Sequence, residues 1–118
     1  AIDYVEAIGR EKIAAHEHDV ATYAMDQLGA LNWLRIFGRA KGKGGIMSFD
    51  VDGAHPHDIS TVLDRYGVAV RAGTHCCEPL MARFGVTSTC RASFGMYNDR
   101  GDVDRLVEAL HKARSMFA

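Results

Sequence analysis

The chain has 118 residues, 47% of them hydrophobic and 25% charged, which suits one globular domain built around a single core. The formal net charge is −1 and the basic residues are scattered, so nucleic acid is not expected as a partner. No apolar run reaches the ~20 residues that a bilayer crossing needs, and no basic leader precedes a short apolar segment, so a cytoplasmic protein without a membrane partner is expected.

From Ile2 to about Leu28 there is no proline, and Val5, Ile8, Ile13, Val20, Tyr23, Ala24 and Leu28 approximate helical spacing, which predicts one long helix ended by Gly29. Trp33 to Phe37 has the aromatic and branched content of a strand, Arg39 to Gly45 reads as an exposed turn, and Ile46 to Val51 partly alternates as a second strand pairing with the first. Pro56 suits a first helical turn, with Ile59, Val62, Leu63 and Tyr66 continuing the helix to Gly67. Val68 to Arg71 reads as a short strand, Glu78 to Phe84 as a helical turn or two, and Cys90 to Tyr97 as a strand. Asp102 is then expected to cap a last helix carrying Val103, Leu106, Val107 and Leu110. This order predicts a single α/β two-layer small domain over 1–118, a mostly antiparallel sheet of about three or four strands covered by helices on one face.

Two places concentrate chemistry. Arg71-Ala72-Gly73-Thr74-His75-Cys76-Cys77-Glu78-Pro79 leaves a strand through glycine and gathers two thiols, an imidazole and a guanidinium on a loop. A thiol attacks as its thiolate, and Arg71, or His75 when protonated, could favour that form of Cys76; both cysteines could equally be small buried apolar residues. The odd cysteine count and the vicinal pair make a poor disulfide framework, so reduced thiols are expected. The second place is Thr89-Cys90-Arg91-Ala92-Ser93, where an arginine inside a strand calls for an anion: a substrate carboxylate, or a structural Asp or Glu. Cys90, among apolar neighbours, reads as core.

Those two stretches, with Met96-Tyr97-Asn98, Gly44-Gly45-Ile46, His55-Pro56-His57-Asp58 and Gly67-Val68-Ala69-Val70 in order, resemble the C-terminal end of Suf-type (group II) cysteine desulfurases and the related selenocysteine lyases, members of aminotransferase class V. The likeness runs the length of the chain. It implies the C-terminal domain of a fold-type I enzyme in which pyridoxal 5'-phosphate (PLP) converts L-cysteine, or alternatively L-selenocysteine, to alanine. It further implies that Cys76 is the nucleophile that becomes a persulfide, that Arg91 grips the substrate carboxylate, and that Arg71 is a second active-site arginine. The sulfur would pass to a Suf-type acceptor protein and on to iron–sulfur cluster assembly, with the full enzyme a homodimer.

The family commonly shows His-His-Cys followed by alanine where this chain has Thr74-His75-Cys76-Cys77. Register assigns Cys76, with His75 in support and Cys77 able to share its reactivity or resolve a persulfide. Glu78 replaces the Met or Gln often found there. The resemblance puts the Schiff-base lysine and the rest of the cofactor-binding domain upstream of residue 1; Lys12, Lys41, Lys43 and Lys112 lie in helical or turn contexts that do not match its motif. The fragment alone is therefore expected to be inactive.

Two rival readings come from other classes. A metal-binding module could draw on His55, His57, His75, Cys76, Cys77 and Cys90, but no Cys-x-x-Cys pair is present and no metal is expected. A non-catalytic interaction domain would use the first and last helices as a binding surface, its thiols inert.

Overall fold

The computed structural model describes residues 1–117. In chain order its elements are α1 (Ile2–Ile8), α2 (Arg10–Gly29), β1 (Leu34–Phe37), β2 (Ile46–Val51), α3 (Pro56–Arg65), β3 (Arg71–Gly73), α4 (Glu78–Phe84), β4 (Thr89–Ser93) and α5 (Arg100–Phe117). The strands form one sheet in the order β1-β2-β4-β3 with every neighbouring pair antiparallel. After β2 the chain passes through α3 to the far edge, lays down β3, and returns through α4 to insert β4 into the middle of the sheet.

Strand alternation divides the sheet into two faces. Leu34, Ile36, Met47, Phe49, Val51, Cys90 and Ala92 are buried against Val20, Ala24 and Leu28 of α2, Ile59 and Leu63 of α3, and Val103, Leu106 and Leu110 of α5. Each fully buried large side chain, such as Phe49 or Leu110, contributes roughly 1.5–3 kcal/mol of burial free energy. The alternate positions, including Arg35, Phe37, Ser48, Asp50, Arg71, Thr89 and Arg91, point to the other face. The two-layer antiparallel architecture is thus the expected one, with α2, α3 and α5 as its helical layer. To this the short α4 adds a partial cover on the second face, where the Phe84 ring lies 5.1 Å from that of Phe37 and the Arg35 guanidinium donates to the Phe84 carbonyl at 3.4 Å.

Four local expectations are corrected. The strand expected over Cys90 to Tyr97 spans only Thr89–Ser93, and the Asn98 side chain then accepts the Gly95 N–H at 2.8 Å in a turn. The single long helix is broken at Gly9, whose φ of 104° and ψ of 118° lie outside the right-handed helical region, so α1 departs from α2 and buries none of its residues. The strand expected over Val68 to Arg71 begins only at Arg71. Its first residues are tied to α3 instead, because the Val68 N–H donates to the Leu63 carbonyl at 3.0 Å and the Ser60 hydroxyl donates to the Val70 carbonyl at 3.2 Å. Asp102 is inside α5 and not at its cap: Asp99 Oδ1 accepts the Asp102 N–H at 3.0 Å while Asp102 Oδ2 accepts the Asp99 N–H at 3.2 Å, a reciprocal capping box.

Candidate active site

The second face of the sheet gathers the residues that the sequence singles out. β3 ends at Gly73, where φ is 138°, and the chain turns at once. The Cys77 N–H donates to the Thr74 carbonyl at 2.9 Å, closing a four-residue turn whose central residues, His75 and Cys76, have φ of 55° and 61°. Positive φ at both central positions is the sign pattern of a type I′ turn, which favours Gly, Asn or Asp. Two successive side-chain-bearing residues held there cost about 1–3 kcal/mol each, so the flanking structure must impose the shape. The turn leaves both Cys76 and Cys77 exposed. Pro79 in the first turn of α4 then fixes the exit of the loop.

His75 folds back under the turn. Its Nε2 lies 3.1 Å from the hydroxyl of Thr89, a residue with no exposed surface, and its Nδ1 is buried without a partner among the described residues. Desolvation pushes the imidazole pKa down, and the nearby charges of Arg91 and Arg71 push it the same way. Both effects favour the neutral imidazole over the charged one. The permanent cations of this region are Arg71 and Arg91.

Arg71 and Arg91 are directly opposed across β3 and β4. The ion pairs among the described residues are Arg100–Asp19, Arg105–Asp102 and Lys112–Glu108, and neither arginine takes part in one. Arg91 Nε is buried with no hydrogen-bond partner among the described residues. The structural salt bridge weighed for Arg91 is thus not found among them. Two like charges face each other without a carboxylate, an arrangement that an anionic ligand would relieve and that guanidinium geometry suits to a carboxylate.

Cys90 is a core residue, as its neighbours imply: its thiol donates to the Pro56 carbonyl at 3.2 Å, and burial, with the charge of Asp50, pushes its pKa up to about 12. His55 and His57 serve the turn into α3, where His55 Nδ1 accepts the His57 N–H at 3.1 Å and the two rings stack with centroids 5.3 Å apart. Among the described residues no three His, Cys, Asp or Glu side chains cluster as a metal site. Thr89 and the left-handed shape of the His75–Cys76 turn are the features that sequence reasoning misses. A threonine in a strand is ordinary, and no glycine or asparagine marks the turn.

The four lysines do not fit a pyridoxal site on this face. Lys43 donates to the Gly38 carbonyl at 2.7 Å in the β1–β2 turn, at the end of the sheet away from the Cys76 turn. Lys112 pairs with Glu108 on α5, Lys12 is in the first turn of α2, and Lys41 shares the turn with Lys43. The described residues present an exposed thiol pair and two opposed arginines, with no lysine in the turn or the two strands beside it.

The family described as aminotransferase class-V matches residues 1–106. The chain belongs to that family. A probable cysteine desulfurase of Halalkalibacterium halodurans is 46% identical to it over 117 residues, which is 99% of this chain and 29% of that relative. Among solved structures, the apo cysteine desulfurase of Thermococcus onnurineus superposes with a TM-score of 0.89 at 34% identity, covering 94% of this chain and 28% of its own. A cysteine desulfurase of Escherichia coli, in its S-sulfonic acid form, gives a TM-score of 0.82 at 40% identity over 89% of this chain and 26% of its own. This aminotransferase class-V chain therefore spans less than a third of the length of each of these proteins.

Proposed function

We propose that the chain is the small C-terminal domain of a PLP-dependent cysteine desulfurase, with Cys76 its sulfur acceptor and Arg91 its carboxylate clamp. The observation that carries this reading is the exposed Cys76, in a strained turn one strand end away from two unpaired arginines. Relatives named cysteine desulfurases at 34–46% identity over nearly the whole chain support the same chemistry, with L-cysteine preferred to L-selenocysteine as the substrate.

In this reading the pyridoxal group is held by the large domain and supplies the electron sink for C–S cleavage. The chain's own residues do the rest. The Arg91 fork binds the substrate carboxylate through charge-assisted hydrogen bonds, and Arg71 adds positive charge beside it. The Cys76 thiolate attacks the substrate sulfur: the new bond is S–S, the bond broken is Cβ–S, and the products are alanine and a Cys76 persulfide. His75 lies beneath the turn as support, and Cys77 is a second exposed thiol at its end. A Suf-type acceptor would take the persulfide sulfur onward to iron–sulfur cluster assembly, from a cytoplasmic homodimer. None of the described helices is long and apolar enough to cross a membrane.

The test is turnover by the full-length protein loaded with PLP. L-cysteine should yield alanine and persulfide sulfur in equal amounts; a loaded enzyme that binds cysteine without releasing alanine would sink the proposal.

A further inference from the structure

The His75–Cys76 turn has no glycine at either left-handed position, so something outside the turn must hold it. Its N-terminal side is fixed by β3, which pairs with β4 through Gly73 opposite Thr89. Its C-terminal side is fixed by the Cys77 N–H bond to the Thr74 carbonyl and by α4. Between these anchors the one side-chain tether among the described residues is His75 Nε2 to the Thr89 hydroxyl, at 3.1 Å. Thr89 is also the one buried polar residue among the described residues, with 0% of its surface exposed. A hydroxyl left there without a partner would cost more than the bond contributes, so the contact is held from both ends.

We infer that Thr89 is a positioning residue: its buried hydroxyl holds the His75 ring beneath the turn and so keeps His75 and Cys76 left-handed, with the Cys76 thiol facing outward. Thr89 touches no reacting atom in this scheme and acts through His75. This rests on the proposed role of Cys76 only for its consequence in catalysis; the hold on the turn stands or falls by itself. Valine at position 89 keeps the β-branched shape and removes the hydroxyl. Serine keeps the hydroxyl and removes the methyl.

The test reads the turn directly by amide hydrogen exchange in the full-length protein. Thr89→Val should speed exchange at the Cys77 N–H by roughly tenfold or more, the factor expected when a hydrogen bond worth about 1.4 kcal/mol is lost. Amides of β2 and of Ala92 should keep their protection, and Thr89→Ser should restore the slow exchange. His75→Ala should reproduce the effect, and the double variant should add little to either single one. If Thr89→Val also strips protection from β2, His75→Ala alone decides, since it leaves the core hydroxyl in place. Unchanged exchange at Cys77 in a folded Thr89→Val or His75→Ala protein would overturn the inference. Turnover by Cys76→Ala, measured separately, tells this failure apart from a failure of the catalytic reading.

Discussion

Arg71 and Arg91 face one another across adjacent antiparallel strands, and no carboxylate among the described residues pairs with either. Like charges directly opposed on a sheet destabilise it, so the pair is a structural cost that a bound anion would relieve. Replacing Arg71 with Gln should raise stability, by up to about 1 kcal/mol on the scale of cross-strand pairs, measured by urea unfolding. Arg91→Ala in the full enzyme should lower kcat/KM for cysteine by roughly ten- to a hundredfold, as the loss of a charged hydrogen-bonding partner predicts. A wild-type kcat/KM in Arg91→Ala would mean that the substrate carboxylate is bound elsewhere.

The three thiols should separate cleanly under native labelling with iodoacetamide. Cys76 and Cys77 are exposed, whereas Cys90 is buried with its pKa pushed up to about 12, so only its unfolding exposes a reactive form. Peptide mapping should find Cys76 and Cys77 modified and Cys90 intact until denaturant is added. Early modification of Cys90 would mean that β4 opens far more readily than its packing implies.

The capping box at the start of α5 gives a pH-dependent contribution. Hydrogen bonds from the Asn98 side chain and the Asp99 backbone hold the Asp102 carboxyl below its ordinary value, so the folded state binds its proton less readily than the unfolded chain. That stabilisation is complete above the ordinary aspartate pKa of about 3.9 and is lost as pH falls through the lower folded value. Asp102→Asn should flatten this part of the acid limb, while Asp99→Ala should cost about 0.5–2 kcal/mol at neutral pH through loss of the cap. Equilibrium unfolding between acid and neutral pH checks both.

Gly9 separates two helices that the apolar spacing joins. Alanine disfavours a φ of 104°, and α1 buries nothing that would resist its realignment. Gly9→Ala should therefore raise helicity in far-UV circular dichroism and leave unfolding stability within about 0.5 kcal/mol, as for other changes away from packed features. A large loss of stability with no gain in helicity would show that the break is held by packing.

How far the sequence could be read follows from which interactions are local. The β1–β2 hairpin, α3 with Pro56 in its first turn, and the core face of α5 were legible because spacing and turn residues report them directly. Gly9 gives no clear signal because an isolated glycine inside a helical pattern is tolerated at a modest cost. β3 reads too early because Val68 and Val70 look like strand residues, while the Val68 N–H and the Val70 carbonyl are claimed by Leu63 and Ser60 of the preceding α3. At the site, Cys76, Arg71 and Arg91 were legible as chemistry. What tertiary context adds is the burial of the His75 ring, its contact with the buried Thr89 and the left-handed turn, none of which the local residue types mark.

In the proposed reaction Cys76 takes the sulfur. Full-length protein, loaded with PLP and given L-cysteine, should carry one extra sulfur atom on the peptide containing Cys76 when digested under non-reducing conditions and fragmented by mass spectrometry. Cys76→Ala should lose both that mass and alanine formation, whereas Cys77→Ala should keep both. Extra sulfur localised to Cys77 alone, or undiminished alanine release from Cys76→Ala, would contradict the account.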